Sequence, residues 1–208
     1  MKITKRQLKT TMALLKPMEE KNQSISMQVV DGTVEILAKR EGAFLKLKMI
    51  KTEDEETEKI SIKKDFLQKL EKQGTEEVVL KINKKTLSSK VNGMSFTTSI
   101  LVEELAIDFP EDEGKGTKIA VTTEIMKSIN TALSYTAKDS KRPQLLGVNL
   151  ALKDKVLSIN ASDTFKLYTS GIKVDTDGEF NVIIRAETAQ LLNAIYELNP
   201  NRPFPITI

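Results

Sequence analysis

Four consecutive acids, Glu53-Asp54-Glu55-Glu56, are the densest group of chemically capable side chains in this chain. Clustered carboxylates can hold Mg²⁺ or Ca²⁺ through oxygen, or pass protons to a substrate. Nothing here spaces ligands for either metal, and an acidic run from Thr52 to Glu58 reads as a solvated loop. Other catalytic chemistry is removed by composition. The 208 residues include no histidine and no cysteine. The usual general base, every Ser-His or Cys-His nucleophile pair, thiolate metal sites and disulfides are therefore excluded. The expectation is a protein that is not an enzyme, needs no cofactor and works through its surfaces.

The second capable group is basic. Net charge is only +3, from 32 Lys and Arg against 29 Asp and Glu. The sum is a weak signal, and where the lysines lie matters more. Their positions follow from the elements that carry them.

Thr4 is placed to cap a helix from Lys5 to about Leu15, which Pro17 ends. At about 100° per residue, Leu8, Met12 and Leu15 share one face and Lys5, Arg6 and Lys9 a neighbouring arc. Three strands follow, centred on Ile25–Val29, Val34–Ala38 and Phe44–Ile50, with Asp31-Gly32 and Glu41-Gly42 as turns. The order then recurs. Lys59–Ile62 is a short strand and Lys63–Lys72 a helix, with Phe66, Leu67 and Leu70 inward and Lys64, Lys69 and Lys72 outward. Strands at 78–82, 87–91 and 94–102 come next, with Asn92-Gly93 the strongest turn signal in the chain.

A third opening begins at Lys118. Ile119–Val121 is a strand, and Thr122 or Thr123 caps a helix from Glu124 to about Tyr135. Its apolar arc is Ile125, Met126, Ile129, Ala132 and Leu133; its other arc is Lys127, Asn130, Thr131 and Ser134. Arg142–Leu167 supplies two alternating strands joined at Lys153-Asp154-Lys155, then a polar corner at Asn160-Ala161-Ser162-Asp163-Thr164. A strand at 166–174 follows. The fourth opening pairs a strand at 180–184 with a helix from Glu187 to Leu198, with Leu191, Leu192, Ile195 and Leu198 inward. One more strand begins at Pro203.

One unit, strand-helix-strand-strand-strand, thus repeats three times and begins a fourth. The fold class is α+β, with helices on one face of antiparallel sheets. Two units make a domain: residues 1–110, a polar linker at 111–117, and residues 118–208, the last expected to be C-terminally incomplete.

Specific residues then meet a known pattern. The N-terminal MKIT with its amphipathic helix, the stretch VVDGTVEILAKREGAFLKLKM, and Asp108-Phe109-Pro110 at the close of the first domain resemble the bacterial DNA polymerase III beta subunit, the sliding clamp. Most specific are RPQLLGV and ASDTFKL, which resemble that family's RP-x-L-x-G-V and ATDGHRL segments. The resemblance covers essentially the whole chain, in order. Thr164, Phe165 and Lys166 stand where the family has Gly, His and Arg.

The resemblance implies the DNA-clamp fold and a role as processivity factor in DNA replication. Such a clamp encircles duplex DNA and tethers the replicative polymerase. Inner-helix cations would meet phosphates through mobile contacts that read no bases. The implied DNA-facing residues are Lys5, Arg6, Lys9, Lys64, Lys69, Lys72 and Lys127, with Lys138 and Lys141 at the rim. The fourth helix has no lysine on its outward arc. A second implied surface is a pocket for short linear motifs of the polymerase and clamp loader, formed by Arg142, Leu145, Ser162, Thr164, Phe165, Lys166 and Leu167. In the family a third domain completes that pocket.

The family's usual member has three domains and closes a two-subunit ring. This chain is expected to form a homo-oligomeric ring when full length. Alternatively it is a divergent clamp-like protein that assembles differently, or a clamp-like interaction module without a ring. No signal peptide or bilayer-spanning apolar run is present, so a soluble cytoplasmic protein without membrane partners is expected.

Overall fold

The computed structural model describes residues 2–18, 24–40, 43–49, 57–100, 116–200 and 202–208. The chain divides into two compact units, Met1–Pro110 and Glu111–Ile208. The acidic cluster at 53–56, the Glu41-Gly42 turn, Asp108-Phe109-Pro110 and most of the 111–117 linker lie outside the described residues.

The first unit contains β1 (Lys2–Thr4), α1 (Lys5–Leu15), β2 (Ser24–Val30), β3 (Thr33–Arg40), β4 (Ala43–Lys48), β5 (Thr57–Lys63), α2 (Lys64–Lys72), β6 (Glu77–Asn83), β7 (Thr86–Val91) and β8 (Met94–Ser99). The second contains β9 (Lys118–Val121), α3 (Thr123–Leu133), β10 (Gly147–Lys153), β11 (Val156–Ser162), β12 (Leu167–Lys173), β13 (Phe180–Arg185), α4 (Ala186–Leu198) and β14 (Phe204–Thr207). The strand-helix-three-strand order is therefore present through three units, and the fourth shows its opening strand, helix and one strand.

Pairing departs from a simple reading of that repeat. Each repeat gives its leading strand to the sheet of the other. The sheets run β1-β6-β7-β8 and β4-β3-β2-β5 in the first unit, and β12-β11-β10-β13 and β14-β9 in the second. Among the described residues each unit thus has two sheets, where one sheet backed by two helices is expected from the repeat. Every pair is antiparallel, with Lys2 opposite Val79, Ile25 opposite Ile62, Leu150 opposite Val182 and Ile206 opposite Ile119.

Local chemistry accounts for the elements. Gln7 N–H donates to Thr4 Oγ1 (3.2 Å) and Thr4 N–H to Gln7 Oε1 (2.8 Å), a reciprocal cap that starts α1. Ile125 N–H donates to Thr122 Oγ1 at 3.3 Å and starts α3. Helices α2 and α4 follow directly from strands and have no side-chain cap. Their first turns instead carry Asp65 and Glu187, which favour the positive end of the helix dipole. Asp31-Gly32, Asn92-Gly93 and Asp154-Lys155 all have positive φ at both residues. That geometry matches the twist of the strands they join.

The first core gathers Ile3, Leu8 and Leu15 with Ile25, Met27, Ile36, Ile62, Phe66, Leu67, Leu70, Leu80 and Leu87, all almost fully buried. Each such side chain contributes roughly 1.5–3 kcal/mol by leaving water. Leu67→Ala would cost about 2–5 kcal/mol through the cavity it leaves. The second core centres on Ile119, Val121, Ile125, Met126, Ile129, Val148, Leu150, Leu157 and Ile159. Gly147 is sterically required, because a Cβ there would collide with the Ile184 carbonyl oxygen on β13.

Two expectations about helix faces fail. Lys64 is only 4% exposed, although it was assigned to the outward arc of α2. Leu198 is exposed at the end of α4, where Ala189 takes the buried position instead. Leu198 is the last helical residue, in the final turn of α4.

Candidate nucleic-acid interface and peptide corner

Within the first unit α1 packs on α2, and within the second α3 packs on α4. On α1, Arg6 and Lys9 are exposed. Lys5 is half-buried and its Nζ lies 3.3 Å from Glu76 Oε1, so part of its charge is answered locally. Lys16 is also exposed, and it continues the line of Arg6, Lys9 and Ala13 at helical spacing. Sequence reasoning stopped the helix at Leu15 and missed Lys16, which is the C-cap residue.

On α2, Lys69 and Lys72 are exposed, as expected. Lys64 is not, and the helix geometry gives the reason. Lys64, Gln68 and Glu71 follow one another at i, i+4 and i+7, on the side turned toward α1. With Lys72 they line a cleft of about 300 Å³, whose other wall is Met12 and Lys16. Lys64 stands at the first helical position, and its long stem is covered there. A side chain so covered is poorly placed to meet a phosphate outside the cleft.

On α3, Lys127, Asn130, Thr131 and Ser134 are exposed together. Asn130 Nδ2 donates to Asn193 Oδ1 on α4 (2.6 Å), and Asn193 Nδ2 donates to Glu197 Oε1 (2.8 Å). The α3–α4 surface is thus polar, with Lys127 its one helical cation among the described residues. Lys138, Lys141 and Arg142 are all exposed on the connection between α3 and β10. Two main-chain bonds order that connection: Ala137 N–H to Leu145 O (2.8 Å) and Leu145 N–H to Arg142 O (3.0 Å). Leu145 ends a single 3-10 turn, Pro143–Leu145, and is half-buried.

The polar corner between β11 and β12 is held by its own side chains. Asp163 Oδ1 accepts from Lys166 N–H (2.8 Å) and Phe165 N–H (2.9 Å). Ser162 Oγ accepts from Thr164 N–H (3.1 Å) and donates to Lys166 O (2.8 Å). The amides of Lys166 and Phe165 hold the Asp163 carboxyl below its ordinary range. Thr164 has φ +81°. A β-branched residue is an outlier in that region, which glycine adopts without strain.

This corner displays apolar surface. Phe165 is 93% exposed and Leu167 69% exposed, with Lys166 exposed between them. Strand alternation turns the next residue, Tyr168, inward. Its hydroxyl shares a 3.0 Å hydrogen bond with Ser128 of α3, and its ring lies 5.6 Å from that of Tyr135. Sequence reasoning missed Ser128 and Tyr168. A serine inside an amphipathic helix carries no signal of its partner forty residues away.

No protein-family model matches the sequence, and no curated protein does. Solved structures do match in fold. The DNA polymerase III beta subunit of Thermotoga maritima superposes with a TM-score of 0.87 at 18% identity, over 100% of this chain and 58% of its own. The DNA polymerase sliding clamp of Bacillus subtilis gives 0.84 at 20% identity, covering 100% and 59%. The Helicobacter pylori beta clamp, solved bound to a DNA ligase peptide, gives 0.80 at 17% identity, covering 100% and 60%. The chain therefore has the sliding-clamp fold and spans a little under three-fifths of the length of the proteins it matches.

Proposed function

We propose that this chain acts in DNA replication as a non-enzymatic processivity factor of the sliding-clamp type. It encircles duplex DNA in the cytoplasm as a ring of more than one copy, and tethers a polymerase and its clamp loader through short peptides. The observation that carries this reading is the match of the whole chain to bacterial clamps, at a TM-score of 0.87. Exposed cations on three helices of that fold, Arg6, Lys9, Lys69, Lys72 and Lys127, support it. Such cations bind phosphates without reading bases, and a loose hold permits sliding.

The peptide site of this reading is the corner of Ser162, Thr164, Phe165, Lys166 and Leu167, together with Arg142 and Leu145. An exposed aromatic and leucine flanking a cation suit a linear motif with apolar anchors. The peptide held by the Helicobacter pylori clamp is a precedent for the kind of partner.

The test is topological. The protein is loaded on nicked circular duplex with the clamp loader and ATP of the same cell, then washed at high salt. Retention on the circle and loss after linearisation is the expected result. Equal release from circular and linear DNA, with a monomeric protein in solution, would overturn the ring.

A further inference from the structure

The three larger sheets turn chemically different faces away from the core. On β4-β3-β2-β5, Lys46 and Lys48 converge on buried Glu35, at 2.9 and 3.6 Å. On β12-β11-β10-β13 the centre of the face is neutral, with Lys153, Lys173 and Arg185 at its ends. Asn149 donates to Asn181, Asn160 donates to Asn149, and Thr169 donates to Asn160, a chain of amides and a hydroxyl across four strands.

The β1-β6-β7-β8 sheet is unlike both. Its inward residues are Ile3, Val78, Leu80, Leu87 and Val91, all buried. The register then sets the outward ones. Lys81 lies opposite Ser88, which lies opposite Thr97; Lys90 lies opposite Ser95; Thr86 lies opposite Ser99. Lys84 and Lys85 form the β6–β7 turn and are exposed, as are Lys81 and Lys90. Among the described outward residues of this sheet the one carboxylate is Glu77, at the far end of β6 beside Thr4. The neighbouring Glu76 is turned to Lys5.

From this we infer that the outward face of β1-β6-β7-β8 is a second nucleic-acid contact, one that grips the phosphate backbone of duplex DNA from the side of the sheet away from α1 and α2. Charge complementarity selects a polyanion, since among the described residues no carboxylate answers Lys81, Lys84, Lys85 and Lys90 as Glu35 answers Lys46 and Lys48. Same-face residues on a strand recur about every 7 Å, so each lysine has a hydroxyl donor close by. Lys together with Ser and Thr is the usual equipment for phosphate oxygens. A folded protein partner would need an apolar centre, and only Val79 supplies apolar surface here. Single-stranded bases would need aromatic platforms, and none lies on the outward positions. Polar and positive is the composition of a duplex interface.

The contact needs neither ring closure nor loading, so it is measured on a short blunt linear duplex with the protein alone. The variant is Lys81→Gln, Lys84→Gln, Lys85→Gln, Lys90→Gln, checked for an unchanged unfolding midpoint. The expected result is at least about a tenfold loss of affinity at low salt and a salt slope shallower by roughly 2–4, near 0.9 per phosphate contact removed. Unchanged affinity and slope would overturn the proposal. So would loss of binding to poly-glutamate with duplex binding intact, which would make the face a seat for acidic protein. A parallel Arg6→Gln, Lys9→Gln variant separates the two readings. If it alone weakens the duplex, the sheet contact falls and the helix contact stands; if only the sheet variant does, the reverse holds.

Discussion

The hydroxyls of Ser128 on α3 and Tyr168 on β12 lie 3.0 Å apart and share a hydrogen bond. The bond fixes which side of β12 faces the helices. With Tyr168 inward, Leu167 must project outward beside Phe165. Tyr168→Phe removes the partner of a buried serine hydroxyl. We expect a loss of about 1–2 kcal/mol in the unfolding free energy of the second unit. Chemical denaturation followed by tyrosine fluorescence would measure it, and parental stability would refute the bond's importance.

Thr164 holds a left-handed conformation that glycine adopts without strain. Relief of strain, about 1–3 kcal/mol, is only partly offset by the greater freedom of glycine in the unfolded chain, about 0.4–1 kcal/mol. Thr164→Gly should therefore raise stability, by up to about 1 kcal/mol. A lowered melting midpoint would show that the threonine is not strained.

Acid should loosen both units through particular carboxyls. Burial pushes the Glu35 carboxyl up, but its bonds to Lys46 and Gln28 and the charges of Lys46 and Lys48 outweigh that and leave it lowered from 4.5. Asp163 is lowered from 3.8 by the amides of Lys166 and Phe165. Both folded values lie below the unfolded ones. Their stabilisation is therefore full above the unfolded values and is lost as pH falls through the folded ones. Glu35→Gln should flatten the decline in stability below about pH 4.5 relative to the parent. An identical acid limb would discard this account.

Cations on the two first-unit helices should differ in their effect on DNA. Replacing Lys5, Arg6 and Lys9 with Glu should weaken duplex association and reduce its salt slope. Lys69→Gln and Lys72→Gln should each reduce the slope by about 1, and Lys64→Gln should leave it unchanged. Salt titrations by fluorescence anisotropy decide this. A slope change at Lys64 equal to that at Lys69 would return Lys64 to the interface.

Peptide capture should depend on the exposed corner. A labelled clamp-binding peptide titrated against the protein and its Phe165→Ala variant should bind the variant at least about tenfold more weakly, since a buried aromatic anchor is typically worth 2 kcal/mol or more. Equal affinities would remove Phe165 from the site.

The order of elements was legible because it is local. Apolar periodicity, the Thr4 and Thr122 caps and the Asp-Gly and Asn-Gly turns all act within a few residues. The exchange of leading strands between repeats was not legible, since alternation in Lys2–Thr4 says which face is apolar and not which strand lies alongside. The Lys64 error has the same origin. A helical wheel distinguishes core from not-core, and the side of α2 toward α1 is a third environment. At the corner, Ser162 to Leu167 were named from residue identity. The strain at Thr164 and the Tyr168 tether required coordinates.

The strand exchange also bears on synthesis. On the ribosome, β1 emerges first but has no partner until β6 appears, and its neighbour Lys5 meets Glu76 across 71 residues. Meanwhile β2-β3-β4 lacks β5 at one edge. The nascent chain must therefore hold β1 unpaired while about seventy further residues are made, about four to fourteen seconds at ordinary elongation rates of roughly 5–20 residues per second. Neither repeat is a folding unit by itself. The smallest piece that can close its own sheets is the pair.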